Sequence, residues 1–121
     1  MREILFRGIA KSHGTFEFGD LITSMGKTYI GNTIGNHPDN WCEVIPETVG
    51  QFTGLTDKNG VKIFEGDVVG SKFWNPKNYK VVFQDGEFCF TTDNLQPYTN
   101  SIHYLKDFEV IGNIHDNPEM L

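Results

Sequence analysis

The stretch that decides the fold is GQFTGLTDKNGVKIFEGDVV, which runs from Gly50 to Val69. Apolar segments flank Asn59-Gly60, and this dipeptide between two apolar runs is the strongest short signal for a β-hairpin. Glu65-Gly66-Asp67 predicts a second tight turn, after which Val68-Val69 resumes the apolar pattern. Two tight turns so close together indicate short antiparallel strands.

The chain downstream of this stretch repeats the pattern. Tyr79–Phe83 and Glu87–Phe90 flank Gln84-Asp85-Gly86, which predicts another hairpin with apolar side chains opposed across the ladder. Asp107–Ile114 predicts the last strand. Asn117-Pro118-Glu119 has the residues of a helix start, but the sequence leaves room for one turn only.

The chain upstream is less regular. Ile4–Arg7 predicts a first strand, and Thr15–Thr23 predicts a short hairpin that turns at Gly19-Asp20. Residues 24–40 are rich in Gly, Asn and Thr, so we expect a long loop with one weak strand around Lys27–Ile30. Strand character returns at Trp41–Ile45, before Pro46 interrupts it.

These elements predict a mostly β fold. Five or six short strands from Gly50 onward favour a small, strongly bent β-barrel or a sandwich, and an SH3-like barrel is one such fold. We expect residues 1–45 to form an N-terminal hairpin and long loop packed on a barrel-like core of residues 46–121, in one compact unit. A separate N-terminal domain is the alternative, but about 45 residues rarely bury enough apolar surface to fold alone.

The composition restricts the classes of function. The chain has 121 residues and a net charge of −6. Both halves are acidic, which opposes binding to duplex nucleic acid because such binding needs Lys and Arg against phosphates. No secretory signal follows Met1, and no apolar run approaches the roughly 20 residues of a membrane helix, so we expect a cytoplasmic protein. Cys42 and Cys89 form no CxxC pair; a disulfide stays possible, and two buried thiols are favoured.

Several strings in this order resemble one family. The similarity covers nearly the whole chain and is vague over residues 14–40 and 71–77. The strings are Met1-Arg2-Glu3-Ile4, Phe6-Arg7, Pro46–Leu55, Asp57–Gly60, Ile63–Val69, Glu109–Ile114 and Asn117-Pro118-Glu119. They resemble the YopX family of bacteriophage and prophage proteins. The resemblance implies a phage-encoded protein that acts in the cytoplasm of the bacterial host cell, and it implies a homo-oligomer. It brings no catalytic residues.

The residues themselves provide no catalytic constellation. The four histidines, at positions 13, 37, 103 and 115, form no closely spaced ligand pair of the kind that marks zinc sites. A calcium loop that starts at Asp57 would need Glu at its twelfth position, where the chain has Val68. The carboxylates of Glu65 and Asp67 are explained by a tight turn. We therefore expect no enzyme, no metal and no cofactor.

The most suggestive segment for function is Lys72–Tyr79, in which aromatic residues alternate with lysines. Its rings could close the end of a barrel, contact another protein or stack on single-stranded bases. The predicted interaction surface comprises Lys72, Phe73, Trp74, Lys77 and Tyr79. The favoured hypothesis is a non-enzymatic phage accessory protein that serves as a protein-interaction or self-assembly module. Its partners would be itself and a host or phage protein, with no membrane. Single-stranded nucleic-acid binding through this segment is the alternative.

Overall fold

The computed structural model of the chain is mostly β, as the sequence predicts. It describes residues 3–31, 40–71, 78–92, 100–101 and 107–120. The chain divides into two compact units, Met1–Phe52 and Thr53–Leu121. The boundary between the two units follows Phe52 and falls inside a strand. It lies a few residues beyond the boundary predicted between residues 45 and 46. The packing of an N-terminal part on a C-terminal core stays a prediction.

The described strands form two antiparallel sheets. Their bounds are β1 Phe6–Ile9, β2 Phe16–Ser24, β3 Lys27–Gly31, β4 Trp41–Glu43, β5 Gly50–Thr56, β6 Lys62–Phe64, β7 Asp67–Gly70, β8 Asn78–Gln84, β9 Glu87–Thr91, β10 Asn100–Ser101 and β11 Glu109–Asn113. The strand orders are β4-β3-β2-β1-β5-β6 and β10-β9-β8-β7-β11. Neither sheet closes on itself in the described part of the chain, so a closed barrel is not found there.

The N-terminal hairpin lies elsewhere than predicted. Gly19 and Asp20 belong to β2, a continuous strand of nine residues, and the turn that follows is Met25-Gly26. Both turn residues have positive φ, 51° at Met25 and 77° at Gly26, as a tight primed turn between two strands requires. The prediction of a turn at Gly19-Asp20 was therefore wrong. Turn-forming residue types were present there, but β2 continues through them.

Gly19 marks the point where β2 changes its pairing partner. Residues 16–19 pair with β1, and residues 20–24 pair with β3. A Cβ atom on Gly19 would overlap the backbone carbonyl oxygen of Gly31 in β3. Glycine is needed here because two backbones approach closely, and not because a turn requires it.

Gly19→Ala is expected to lower the free energy of unfolding by about 1–3 kcal/mol, the usual cost of adding a methyl group to a filled site. The overlapping atom belongs to the backbone of Gly31, which cannot rotate away as a side chain can. Urea denaturation followed by far-UV circular dichroism measures the loss. Thr23→Ala, at an exposed position of the same strand, is the control and should change stability by about 0.5 kcal/mol at most. Equal effects of the two substitutions would contradict the close approach.

The end of β1 is held by the chain that follows β4. Ala10 forms a β-bridge with Val44, and the N–H of Ile45 donates to the carbonyl of Ile9 at 2.9 Å. The hydroxyl of Thr48 accepts from the N–H of Ile9 at 2.8 Å and donates to the carbonyl of Ile45 at 2.6 Å. Thr48 lies in a 3₁₀ turn, Pro46–Thr48, where Pro46 ends strand character as predicted.

The turns predicted in the second unit are confirmed. At the Asn59-Gly60 turn, the N–H of Asp57 donates to the carbonyl of Val61 at 2.8 Å, and Gly60 has φ 82°. Gly66 has φ 94° in the tight turn before β7. Asp85 and Gly86 have φ 54° and 83° and connect β8 to β9 in the predicted hairpin. Positive φ at these positions explains why Gly occupies three of them and Asp the fourth.

The core of the second unit is aromatic and β-branched. The buried cluster consists of Ile63, Val69, Tyr79, Val81, Phe90 and Phe108. The ring of Tyr79 lies edge-on to that of Phe90 at 5.2 Å between centroids, and Phe108 lies 5.1 Å from Phe90. Aromatic pairs prefer such edge-to-face and tilted arrangements, and they add to the stabilisation from buried area.

The last strand and the chain end agree with the prediction. The pairing of β11 with β7 contains a β-bulge between Val110 and Gly112. After β11, the side-chain oxygen of Asn113 accepts from the N–H groups of His115 and Asp116 at 3.0 and 2.9 Å. The single predicted helical turn is the 3₁₀ turn Pro118–Met120.

Candidate functional site

Most of the predicted interaction surface falls outside the described residues. Lys72, Phe73, Trp74 and Lys77 lie there, so their part in an interaction stays a prediction. Tyr79 is described, and it requires a correction. Its side chain is 4% exposed and packs in the core of the second unit, since alternation along β8 directs positions 79 and 81 to the buried face.

The first unit contains an open cleft of about 540 Å³. It is lined by the segment before β1, by residues 17–20 of β2, by the end of β3, and by Asn40 and Cys42. The cleft thus surrounds the point at which β2 exchanges β1 for β3 as its partner. A volume between roughly 300 and 1,000 Å³ is typical of sites that bind small ligands or a few side chains.

Two large apolar side chains at the cleft are exposed. Ile4 is 60% exposed and Phe18 is 54% exposed, and both line the cleft. The ring of Phe18 lies 6.3 Å from that of Phe16, and the guanidinium carbon of Arg7 lies 4.2 Å from the Phe16 ring centroid. A cation over an aromatic face is a favourable contact. The ring of Phe16 therefore lies beside that of Phe18, while much of the Phe18 side chain stays open to solvent.

The charged side chains among the described residues that line the cleft are all acidic. They are Glu3, Glu17 and Asp20, and the described lining includes no Lys or Arg. An oxygen of Glu17 lies 2.8 Å from Nε2 of His13, with which it forms a hydrogen bond. Side chains of one sign in a concave site focus the field and attract ligands of the opposite charge.

The surroundings of Cys42 in the cleft change the pKa of its thiol. Burial raises the pKa of the Cys42 thiol, and the negative charge of Glu17 raises it further. A raised pKa keeps the thiol protonated, whereas the nucleophile and the metal ligand are the thiolate. Cys42 is therefore an apolar component of the cleft wall, and it is a free thiol, as is Cys89.

The described residues of the cleft present groups that can bind a ligand. In the described ranges, no three His, Cys, Asp or Glu side chains lie together as metal ligands would, while His37 and His103 fall outside these ranges. What the cleft presents is a pair of exposed apolar side chains, Ile4 and Phe18, among carboxylates. That arrangement can bind a ligand that carries a positive charge next to an apolar group.

The alternation of residues in β2 did not predict this cleft. Phe16 and Phe18 lie on either side of Glu17, which is the pattern of two side chains that face a core. Phe18 is nevertheless much more exposed than an ordinary core residue. Gly19 was the available clue, because an isolated glycine in a strand pattern indicates a close backbone approach or a bulge. The interpretation of Gly19-Asp20 as a turn meant that this alternative role of Gly19 was not considered.

Comparison with known proteins identifies the family. The model of the family described as YopX protein matches residues 6–121, from β1 to the end of the chain. The chain belongs to the YopX family. The family resemblance predicted from the sequence is therefore confirmed.

One solved structure resembles this member of the YopX family along its entire length. It is the crystal structure of protein EF1440 from Enterococcus faecalis, with 27% sequence identity and a TM-score of 0.55. The match covers 100% of this chain and 99% of that one. No curated protein matches the YopX chain. Across the described ranges, no helix is long and apolar enough to cross a membrane.

Proposed function

We propose that the chain is a non-enzymatic accessory protein of a phage or prophage, which acts by binding another protein chain. The partner is a second copy of itself or a protein of the host or phage, and the interaction takes place in the host cytoplasm. The observation that carries the proposal is the exposure of Ile4 and Phe18 at an acidic cleft.

The cleft supports protein binding for two reasons. Aromatic side chains are enriched among the residues that dominate binding energy in protein interfaces, and Phe18 lies at a concave site where a partner can surround it. The carboxylates of Glu3, Glu17 and Asp20 would form the polar rim of such an interface. Their negative charge opposes nucleic acid and favours a basic partner segment.

Capture from a host lysate tests the proposal. The tagged wild-type chain is compared with Phe18→Ser in the cleft and with Phe83→Ser, which alters an equally exposed phenylalanine outside the cleft lining. We expect a stoichiometric protein that withstands nuclease treatment and is recovered with wild type and Phe83→Ser, but is lost with Phe18→Ser.

Two results would oppose the proposal. Recovery that does not depend on Phe18 would exclude the cleft as the binding site. Nuclease-sensitive recovery with nucleic acid in the eluate would replace protein binding with single-stranded nucleic-acid binding, for which residues 72–77 are the candidate segment.

A further inference from the structure

We infer that the cleft binds the Lys72–Lys77 segment of a second copy of the chain. This inference rests on the proposed function, and it specifies the partner. The partner segment is identified by its chemistry, which complements that of the described cleft.

The charges of the two surfaces are opposite. The cleft lining carries the carboxylates of Glu3, Glu17 and Asp20. The segment KFWNPK carries Lys72 and Lys77 at its two ends, in a chain with 16 acidic and 10 basic residues. Basic residues are therefore scarce in this protein, and here two of them flank a pair of aromatic residues.

The apolar groups are complementary as well. Phe73 and Trp74 lie between the two lysines, and the cleft presents Ile4 and Phe18 with much of their surface open. The cleft volume of about 540 Å³ leaves room for large side chains. The aromatic pair would enter the cleft, and the lysines would face its acidic rim.

The contact has a defined symmetry. It joins a cleft on one copy to a different surface on the next copy, so it is heterologous, and repetition builds a ring or an open filament. Each copy offers one cleft and one segment. A defect in the cleft can therefore be complemented by a chain whose own defect lies in the segment.

The experiment measures the mass of the full chain by sedimentation over a range of concentrations. The wild type is expected to associate, and salt is expected to weaken association because exposed charges are screened. Phe18→Ser and Asp20→Lys alter the cleft, while Trp74→Ser alters the segment. Each of these three is expected to weaken self-association at least tenfold while retaining the far-UV circular dichroism of the wild type.

The mixture of two defective chains gives the decisive result. Phe18→Ser mixed with Trp74→Ser is expected to form a heterodimer, because one intact cleft and one intact segment remain in the mixture. Asp20→Lys mixed with Trp74→Ser provides a second pair should Phe18→Ser fold poorly. Phe83→Ser is the matched control and should associate as the wild type does.

Three results would overturn the inference. They are a monomeric wild type at every concentration, mixtures that stay monomeric, and undiminished association of Trp74→Ser. A monomeric wild type that still captures another protein through Phe18 would leave the proposed function intact and remove only this inference.

Discussion

Replacement of Phe90 by alanine is expected to lower the free energy of unfolding by about 3–5 kcal/mol, as large-to-small substitutions of buried aromatic residues do. Phe90 is 0% exposed, and its ring contacts those of Tyr79 and Phe108 at 5.2 and 5.1 Å between centroids. The substitution would leave a cavity among side chains from different strands, and they cannot all move to fill it. Urea denaturation followed by far-UV circular dichroism measures the effect.

Phe83→Ala is the matched control for this prediction. Phe83 lies in the same hairpin but is 54% exposed, and its ring contacts Phe88 at 5.0 Å. Loss of an exposed aromatic pair should cost at most about 1.5 kcal/mol. Similar losses for Phe83→Ala and Phe90→Ala would contradict the position of Phe90 at the centre of the core.

The second unit was largely predictable because its turns have distinctive residues. Asn59-Gly60, Gly66 and Asp85-Gly86 occupy positions of positive φ or sites next to them, and few other residue types tolerate such positions. Each turn then sets the register of the strands beside it. With register fixed, alternation predicted that apolar side chains of the two strands oppose each other, and the β8–β9 ladder pairs Phe83 with Phe88 and Val81 with Phe90.

The first unit was harder to predict because some of its residues adopt backbone conformations that are unusual for their type. Met25 adopts φ 51° in a turn although methionine is not a typical residue for that conformation, while Gly19-Asp20 has turn residues inside a strand. The function of Gly19 depends on the carbonyl of Gly31, which lies in another strand. A local pattern contains no information about such a neighbour.

The cleft could not be predicted for the same reason. It combines the segment before β1 with parts of three strands, and the exposure of Phe18 depends on which strands lie beside it. The sequence did predict the chemistry of the proposed partner segment, since Lys72, Phe73, Trp74 and Lys77 are contiguous. Local composition is thus the basis of the hypothesis for this segment, whereas a concave site depends on tertiary structure.

Asp57 has a structural role that extends beyond its own hairpin. One carboxylate oxygen accepts from the N–H groups of Asn59 and Val61 at 2.8 and 2.9 Å. The other accepts from the N–H of Val110 in β11 at 2.9 Å. Asp57 itself is only 5% exposed. The first two bonds lie within the turn, whereas the bond to Val110 spans 53 positions in sequence. Asp57 therefore connects the β5–β6 hairpin to the last strand of the same unit.

Asp57→Asn is expected to lower the free energy of unfolding at pH 7 by about 2–4 kcal/mol. A buried group left without its hydrogen bond costs about 1–3 kcal/mol, and bonds to a charged acceptor are the stronger ones. The amide keeps one acceptor oxygen, but its NH₂ group replaces the other and opposes an N–H donor. Asp85→Asn, at an exposed turn position with φ 54° where Asn is equally tolerated, is the control and should be nearly neutral.

The effect of Asp57→Asn should also depend on pH. Burial alone would raise the pKa of Asp57, but the N–H groups of Val110, Val61 and Asn59 outweigh it and hold the pKa below its usual value. A carboxyl group with a lowered pKa in the folded state stabilises the fold fully above its unfolded pKa of about 3.9. That stabilisation disappears as the pH falls through the lowered folded-state pKa. Urea denaturation of both proteins from pH 7 to pH 2 should therefore show a constant difference down to about pH 4 and a shrinking one below it. A difference that stayed constant throughout would mean that the charge of Asp57 contributes nothing, and that its effect comes from shape alone.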